Sequence, residues 1–561
     1  MRTGLLLIVT TLLLVTSGCG SLKRWKSNGF KLGPDYRRPC APVAPNWIAH
    51  DDPAVVSDAQ PETDWWRAFN DPVLEHLIQT AYQQNLDLRT IGLRVLEARA
   101  QLEINALNLL PQSQTFSTRY ARNQISLETA NILPFFIDRF FSDWAGGFDM
   151  SWELDVWGRI RRSIESADAS LDAEIENYDN VLVTLIGDVA ATYLELRAFD
   201  ERIDLAEQNV EIQSGSYRIA AAREAAGRVS ELDVEQAKSN LGETKALVPT
   251  LRQGRRLSLN RLAILLGMTP YQLEPLLRER GEIPEVSDQV LVGIPAELLR
   301  RRPDVRAAER QVAAQSARIG IAEADLFPQF AIVGQIGLNS EQFSDLFVPF
   351  SGTGLISPGF TWKILNYGRL LRNIEVADLQ FQQAVVNYQN VVLAAHREVE
   401  DALVDFVESR NRVRELRVSA NAAEKSVELV NTQYAEGKVD FGRVFVLEAQ
   451  LVRSQDFLVA SEGDVATALV RVYKALGGGW QLRLDTPYTG CGPVEMAPMT
   501  EPPLDDGTPI ELLPPQEPAE AADNDEQPST DAIPPVLDPY DEDDPVTPPL
   551  DLERLPAAGE D

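Results

Sequence analysis

Only three His, three Cys and five Met stand among the 561 residues. The ligands that zinc, haem or iron–sulfur chemistry needs are therefore nearly missing. His50, His76 and His396 have no recognisable partners, and neither a Ser-His-Asp set, a glycine-rich phosphate loop nor a paired catalytic carboxylate is visible. The chain reads as a non-enzyme that takes no cofactor and no metal. What remains is the electrostatics of carboxylates. The sequence carries 84 Asp plus Glu against 52 Lys plus Arg, a net charge of −32, which speaks against any nucleic-acid partner held by phosphate neutralisation. The most orderly acids are Asp149, Glu153 and Asp155. With Ser151 they alternate with Phe148, Met150, Trp152, Leu154 and Val156 at a strict period of two. Such a strand has one oily and one acidic face and separates lipid or core from water.

The two ends frame the region that must position these residues. Arg2, the apolar run Gly4 to Val15 and the small residues Thr16, Ser17 and Gly18 before Cys19 resemble a bacterial lipobox. In that reading 1–18 is a signal peptide and Cys19 is the lipid attachment site, with Thr16 where Leu is usual. An ordinary secretory signal ending beside a chance Cys is the alternative, and either one exports the chain. Cys40 and Cys491 then meet an oxidising compartment, where a disulfide would join the amino-terminal extension to the far end of the body; two separate thiols are the other reading. From Gly492 to Asp561 there are 20 Asp plus Glu, one Arg (Arg554) and 16 Pro. Residues 491–561 therefore read as an acidic, Pro-rich disordered tail.

The body repeats itself. Gly158-Arg159 is echoed by Gly368-Arg369, Gly227 by Gly437, and Leu266-Gly267 by Leu476-Gly477, each 210 residues on. In each copy a Pro-free stretch carries apolar residues at alternating steps of three and four, from Leu182 to Val210 and from Val392 to Ala420, which predicts coiled-coil helices. At 1.5 Å per residue a helix of about 68 residues reaches roughly 100 Å. Each helix then reverses: Gly227 suits a left-handed helix end, with Ser230 and Asp233 as a capping pair, and Gly437 is followed by the cap Asp440. The sequence predicts an extension over 19–71 and a first repeat over 72–281, with a β-hairpin near 112–157 and a helical hairpin over 159–267. The second repeat spans 282–490, with a β-hairpin near 328–365 and a helical hairpin over 369–477.

Four strands are expected per chain, and Pro358 marks a bulge or boundary in the last. Outside the signal no apolar run is long enough for a membrane helix. A membrane span must then be a closed barrel, because open sheet edges in lipid leave backbone groups unsatisfied. Four strands cannot close. Three chains give twelve strands and a lumen, whereas two give eight, which side chains fill. Asp149, Glu153 and Asp155 would face that lumen. A soluble sheet packed on helices is the alternative.

The segments Leu298 to Glu309 (LLRRRPDVRAAE), Gly33-Pro34-Asp35-Tyr36, Trp65-Trp66 through Leu74, and Ala322 to Pro328 resemble the TolC-like outer-membrane channels, in the lipoprotein branch typified by OprM and NodT. The resemblance covers nearly all of residues 19 to 490; the longer tether before Gly33 and the acidic tail depart from it. It implies a homotrimer: a twelve-stranded membrane β-barrel continued by a long α-helical coiled-coil tunnel, two structural repeats per chain. It also implies a lipid-anchored outer-membrane protein that receives small molecules or ions from an inner-membrane pump through a periplasmic adaptor (membrane fusion) protein. Carried over by position, Gly227, Arg228, Val229, Ser230, Gly437, Lys438, Val439 and Asp440 are docking tips, and Asp233 and Glu448 an acidic ring at the inner aperture. A protein-secretion channel, or a periplasmic coiled-coil scaffold without a pore, would be the other functions.

Overall fold

The computed structural model of the chain describes residues 25–56, 63–126, 138–285, 290–293, 295 and 301–485. Cys19, Cys491 and the acidic tail lie outside the described residues. Among the described residues, seven principal helices and four long strands build the body. They are α1 (Pro72–Gln84), α2 (Leu86–Leu107), β1 (Ser113–Gln124), β2 (Phe140–Leu154), α3 (Arg159–Ala225), α4 (Glu231–Leu265), α5 (Pro303–Ala324), β3 (Gln329–Ser340), β4 (Gly352–Thr361), α6 (Arg369–Ala435) and α7 (Phe441–Ala475). Helices α3 and α6 have 67 residues each, and α4 and α7 have 35 each. The bounds of α6 and α7 lie 210 residues after those of α3 and α4.

The helices form one layer. In the half near the sheet the packing order is α2, α3, α5, α6; in the half near the tips it is α4, α3, α7, α6. Both long helices thus run the full height, about 100 Å at 1.5 Å per residue, while shorter helices fill the gaps between them. The apolar stripe explains why. Leu182, Leu185, Val189, Leu196 and Ile203 on α3, and Val392, Val399, Phe406 and Val413 on α6, are buried, at the spacing that keeps one seam facing a partner helix. The main core lies at mid-height, where α1 and the Trp65-Trp66-Phe69 turn pack against α3, α4, α6 and α7. Among the described residues no helix is long and apolar enough to cross a membrane.

The four strands form one antiparallel sheet in the order β1-β2-β3-β4. Its middle pair joins the two repeats, with Phe148 opposite Ile336 and Asp149 opposite Gln335. Because side chains alternate, the register sorts the faces. One carries Phe116, Phe148 and Ile336, then Met150 and Ile356, then Trp152 and Ile332; the other carries Thr115, Asp149 and Gln335, then Ser117 and Thr353, then Arg119, Asp143 and Asn339. Strand β4 runs unbroken through Pro358, which lies opposite Ile332. Neither a bulge nor a boundary interrupts it there; within the single chain β4 is the edge of the sheet, where one missing N–H is tolerated.

The amino-terminal segment is a strap laid over both repeats. The Leu32 N–H donates to Trp157 O at 3.0 Å, the Tyr36 hydroxyl to Glu309 Oε1 at 3.1 Å, and the Trp47 indole N–H to Gly293 O at 2.8 Å. Gly33 crosses Gly320 so closely that a Cβ on it would come within 2.4 Å of the Gly320 Cα, and its φ is +82°. Only glycine fits. Arg162, buried beneath, donates to Leu32 O and Gly33 O and pairs with Asp35 at 3.0 Å. Cys40 is exposed on this strap.

The Arg-Arg-Pro-Asp motif is a staple. The buried Arg302 guanidinium donates to Ala475 O at the end of α7, and to the carboxylates of Asp304 and Glu398 at 2.8 and 2.7 Å. Arg306 meets Glu176 and the fully buried Asp179, which Arg483 also holds with two hydrogen bonds. These charges are mutually paired, as buried charges must be.

Candidate channel surfaces

The tips are two tight turns at equivalent places. Gly227 and Gly437 have φ of +68° and +78°. Each ends its long helix with the double bond of a Schellman motif: the Arg228 N–H donates to Arg223 O at 2.8 Å and the Lys438 N–H to Gln433 O at 2.9 Å, beside the N–H groups of the glycines. Arg228, Ser230, Lys438 and Asp440 are exposed, and Val229 and Val439 half-buried. The caps differ. Asp440 accepts the Arg443 N–H at 3.0 Å, whereas Ser230 caps no backbone group; its hydroxyl reaches Asp233 Oδ1 at 3.5 Å.

Sequence reasoning missed what joins the tips. Arg223, in the last turn of α3, lies 4.7 Å over the Tyr434 ring, and it donates to Tyr434 O. Tyr434 also packs edge-on against Phe441 at 5.5 Å, inside a small apolar cluster with Ala220, Ala237, Val430 and Val444. Burial pushes the Tyr434 phenol up from its usual value, with Arg223 opposing. The sequence marks Arg223 only as a basic residue in the last turn of a helix, a place its dipole favours; nothing in the spacing shows its partner on the other hairpin.

Of the two acids expected at an aperture, Asp233 is half-buried in the first turn of α4. Glu448 is placed otherwise than expected. It is 2% exposed within a single chain, so its carboxylate is enclosed and does not line an open surface. It accepts the Ser216 hydroxyl at 2.5 Å, the Asn240 amide at 3.2 Å and the Asn431 amide at 3.5 Å. Burial raises its pKa from the usual range, and the three donors only partly offset this.

At the sheet, Asp149 sits on the polar face and accepts the Ser117 hydroxyl at 3.2 Å. Glu153 is held by both arms of the Arg159 guanidinium, at 3.0 and 2.7 Å. Asp155 lies past the end of β2 and is not a strand residue. Its carboxylate accepts the N–H groups of Ile160 and Arg161 at 2.9 and 3.0 Å, capping α3 in place of Gly158. The helix amino terminus, with its orphan donors, claims that acid.

The match to known proteins is extensive. The family model described as outer membrane efflux protein matches residues 77–268 and 294–478. The toluene efflux pump outer membrane protein TtgF of Pseudomonas putida is 32% identical over 482 residues, covering 82% of this chain and 96% of that protein. Nodulation protein T of Rhizobium leguminosarum bv. trifolii is 29% identical over 471 residues, covering 81% and 95%. Among solved structures, the outer-membrane channel OprN superposes with a TM-score of 0.74 at 30% identity over 80% of this chain and 99% of its own. The open state of the Neisseria gonorrhoeae MtrE channel gives 0.68 at 26%, covering 80% of this chain and 98% of its own. A TolC-like fold of two repeats, an amphipathic sheet and paired helical hairpins accounts for these matches along almost the whole described body, and the chain belongs to the outer membrane efflux protein family.

Proposed function

We propose that this chain is the outer-membrane channel of a tripartite efflux system: a passive, homotrimeric conduit that passes small molecules or ions from a periplasmic adaptor and an inner-membrane pump to the exterior. The observation that carries this reading is geometric. The four-stranded sheet is oily on one face and polar on the other, and among the described residues both of its edges, β1 and β4, are unpaired. In hydrocarbon, unpaired edges cost several kcal/mol per group. The helical layer is open in the same way. Its two outer members near the sheet, α2 and α6, expose Leu93, Leu96 and Ile104, and Val376, Val386 and Leu393. Three copies would close both layers at once, giving twelve strands over twelve helices, with Asp149 toward the lumen. Lipid on Cys19 and the barrel itself would hold the assembly in the outer membrane.

The tips, Gly227 to Ser230 and Gly437 to Asp440, are the adaptor-docking surface in this reading, and Asp233 lies beside the narrow end. Replacing Val229 and Val439 together by Asp is expected to weaken adaptor binding about 30-fold, the ~2 kcal/mol of an interface hot spot, and to restore drug or metal sensitivity. Trimer mass and bilayer conductance would stay as in the unmodified protein. A protein that is monomeric without detergent and conducts no ions would instead be a scaffold, and copurification with a secretion ATPase would mark a protein-secretion channel; either result sinks the efflux reading.

A further inference from the structure

The coiled-coil half of the chain is not uniformly apolar. One small cluster, Ile203, Ala206, Val248 and Leu251, holds it toward mid-height, and another, containing Ala220, Tyr434 and Phe441, holds it at the tips. Between them most of the buried side chains are polar, namely Asn209, Gln213, Ser216, Asn240, Thr244, Glu448 and Ser454, with Leu241, Ala420, Val427 and Leu451 the buried apolar ones. Polar layers in coiled coils fix register but cost stability. The tips therefore hang below a seam richer in buried polar groups than the apolar clusters on either side.

Glu448 is the centre of that seam. Its carboxylate, on α7, takes hydrogen bonds from α3 (Ser216), α4 (Asn240) and its own hairpin partner α6 (Asn431). One side chain thus links all four helices and both hairpins. None of these three partners titrates, and none is a cation. The charged groups on the surrounding helices turn outward: Glu211 with Arg218 on α3, Glu235 with Lys238 on α4, Lys425 with Glu428 on α6. On α7 itself Arg443 is exposed. Toward the tip, Arg223 is engaged by Tyr434, Tyr217 packs with the tip cluster and Asp233 is half-buried. One turn before Ser216, Gln213 is 2% exposed and has both amide atoms without a hydrogen bond, a further cost of the polar layer.

We propose that Glu448 is a proton-operated pin: as a neutral carboxyl it holds the two helical hairpins of a chain together just above their tips, and as a carboxylate it lets them part. As a statement about a gate this rests on the channel reading above; as a statement about two hairpins it does not. The sign follows from linkage. Burial raises the acid in the pinned state, and water would return it to the ordinary glutamate range once the hairpins separate. The pinned state therefore binds the proton more tightly. Its advantage is fully present at pH below the ordinary glutamate value and is lost as pH rises through the raised one.

The test uses full-length protein in lipid nanodiscs, with spin labels at the Arg228 and Lys438 positions of a small labelled fraction of chains and infrared difference spectra across the same pH range. The ratio of separated to joined tips is expected to rise with pH, by at most about tenfold per pH unit for one proton, in step with loss of a protonated-carboxyl band. Glu448→Gln, a permanent mimic of the neutral acid, should keep the tips joined at every pH and lack the band. Ser216→Ala removes one of the bonds that link the hairpins, so the joined state is weaker and its transition should move to lower pH; it also serves if Glu448→Gln does not fold. A pH dependence that survives Glu448→Gln, tips that do not respond to pH in the unmodified protein, or a Ser216→Ala transition that moves up or stays put would each overturn the pin. No readout needs a conducting pore, so failure here leaves the channel reading intact, and loss of conductance leaves the pin intact.

Discussion

Asp200→Ala is expected to destabilise the body by about 3–5 kcal/mol, the usual cost of removing one partner from a buried ionic cluster. Asp200 is on α3 and has no exposed surface. It accepts the Arg197 guanidinium at 3.0 Å and the Arg255 guanidinium from α4, and the Gly281 N–H at 3.3 Å. The two arginines carry the link onward. Arg255 donates to Leu277 O at 2.7 Å and Arg197 to Glu279 O at 3.2 Å, so the segment leaving the first repeat is tied down by the same cluster. Arg197 also donates to the Tyr193 hydroxyl at 3.0 Å, which donates to Asp71 Oδ2 at 2.6 Å, and Asp71 caps α1. Removing the Asp200 carboxylate strands two guanidinium groups where water cannot reach them well. Asp200→Asn, which keeps the acceptor oxygen, should cost less than Ala. Thermal unfolding of the purified protein followed by circular dichroism checks both. A loss for Ala below about 0.5 kcal/mol, the scale of an ordinary surface substitution, would mean that the cluster rearranges and that its geometry does not hold the repeat junction.

That cluster shows where a sequence stops being readable. The two repeats were visible because backbone geometry leaves marks in the chain: Gly158 and Gly368, Gly227 and Gly437, Gly267 and Gly477 all have φ between +68° and +81°, where a Cβ is strained. The strands were visible because a face toward oil and a face toward water impose a period of two. An ion cluster leaves no such mark. Asp71, Arg197, Arg255 and Gly281 are distant in sequence, and nothing in their spacing says that they meet. The adjacency of β2 and β3 was equally silent, because a period of two fixes faces and not neighbours. Glu448 is the instructive case. Read as part of Leu-Glu-Ala-Gln it looks like a free acid, but Phe441, Val444, Glu448 and Leu451 follow steps of three and four, and the other three are buried. The seam of the helix placed the acid inside; its chemical type suggested outside. Asp155 differs for a related reason, since the alternating pattern continues two residues beyond the strand, through the cap of α3.

Ile336→Arg should abolish assembly in the outer membrane, while Gln335→Arg, one residue earlier, should not. Ile336 lies well inside β3, opposite Phe148, on the face that also carries Phe116, Met150 and Trp152. It is 67% exposed in the single chain, and in the proposed barrel it faces lipid. An arginine on the lipid face near the bilayer centre costs about 2–4 kcal/mol. Every protomer carries the substitution, so a three-chain barrel would lose about 6–12 kcal/mol, comparable to the whole stability of an ordinary domain. Gln335 is opposite Asp149 on the other face. An arginine there would meet water and a carboxylate, leave assembly unchanged, and, in the proposed pore with Asp149 toward the lumen, shift selectivity toward anions by weakening the negative field at Asp149. Heat-modifiable mobility on gels and bilayer conductance with reversal potentials under a salt gradient read the two effects separately. If both variants assembled normally, the sheet would not be facing hydrocarbon at all. If Gln335→Arg failed and Ile336→Arg assembled, the two faces would be reversed and Asp149 would lie outside the lumen.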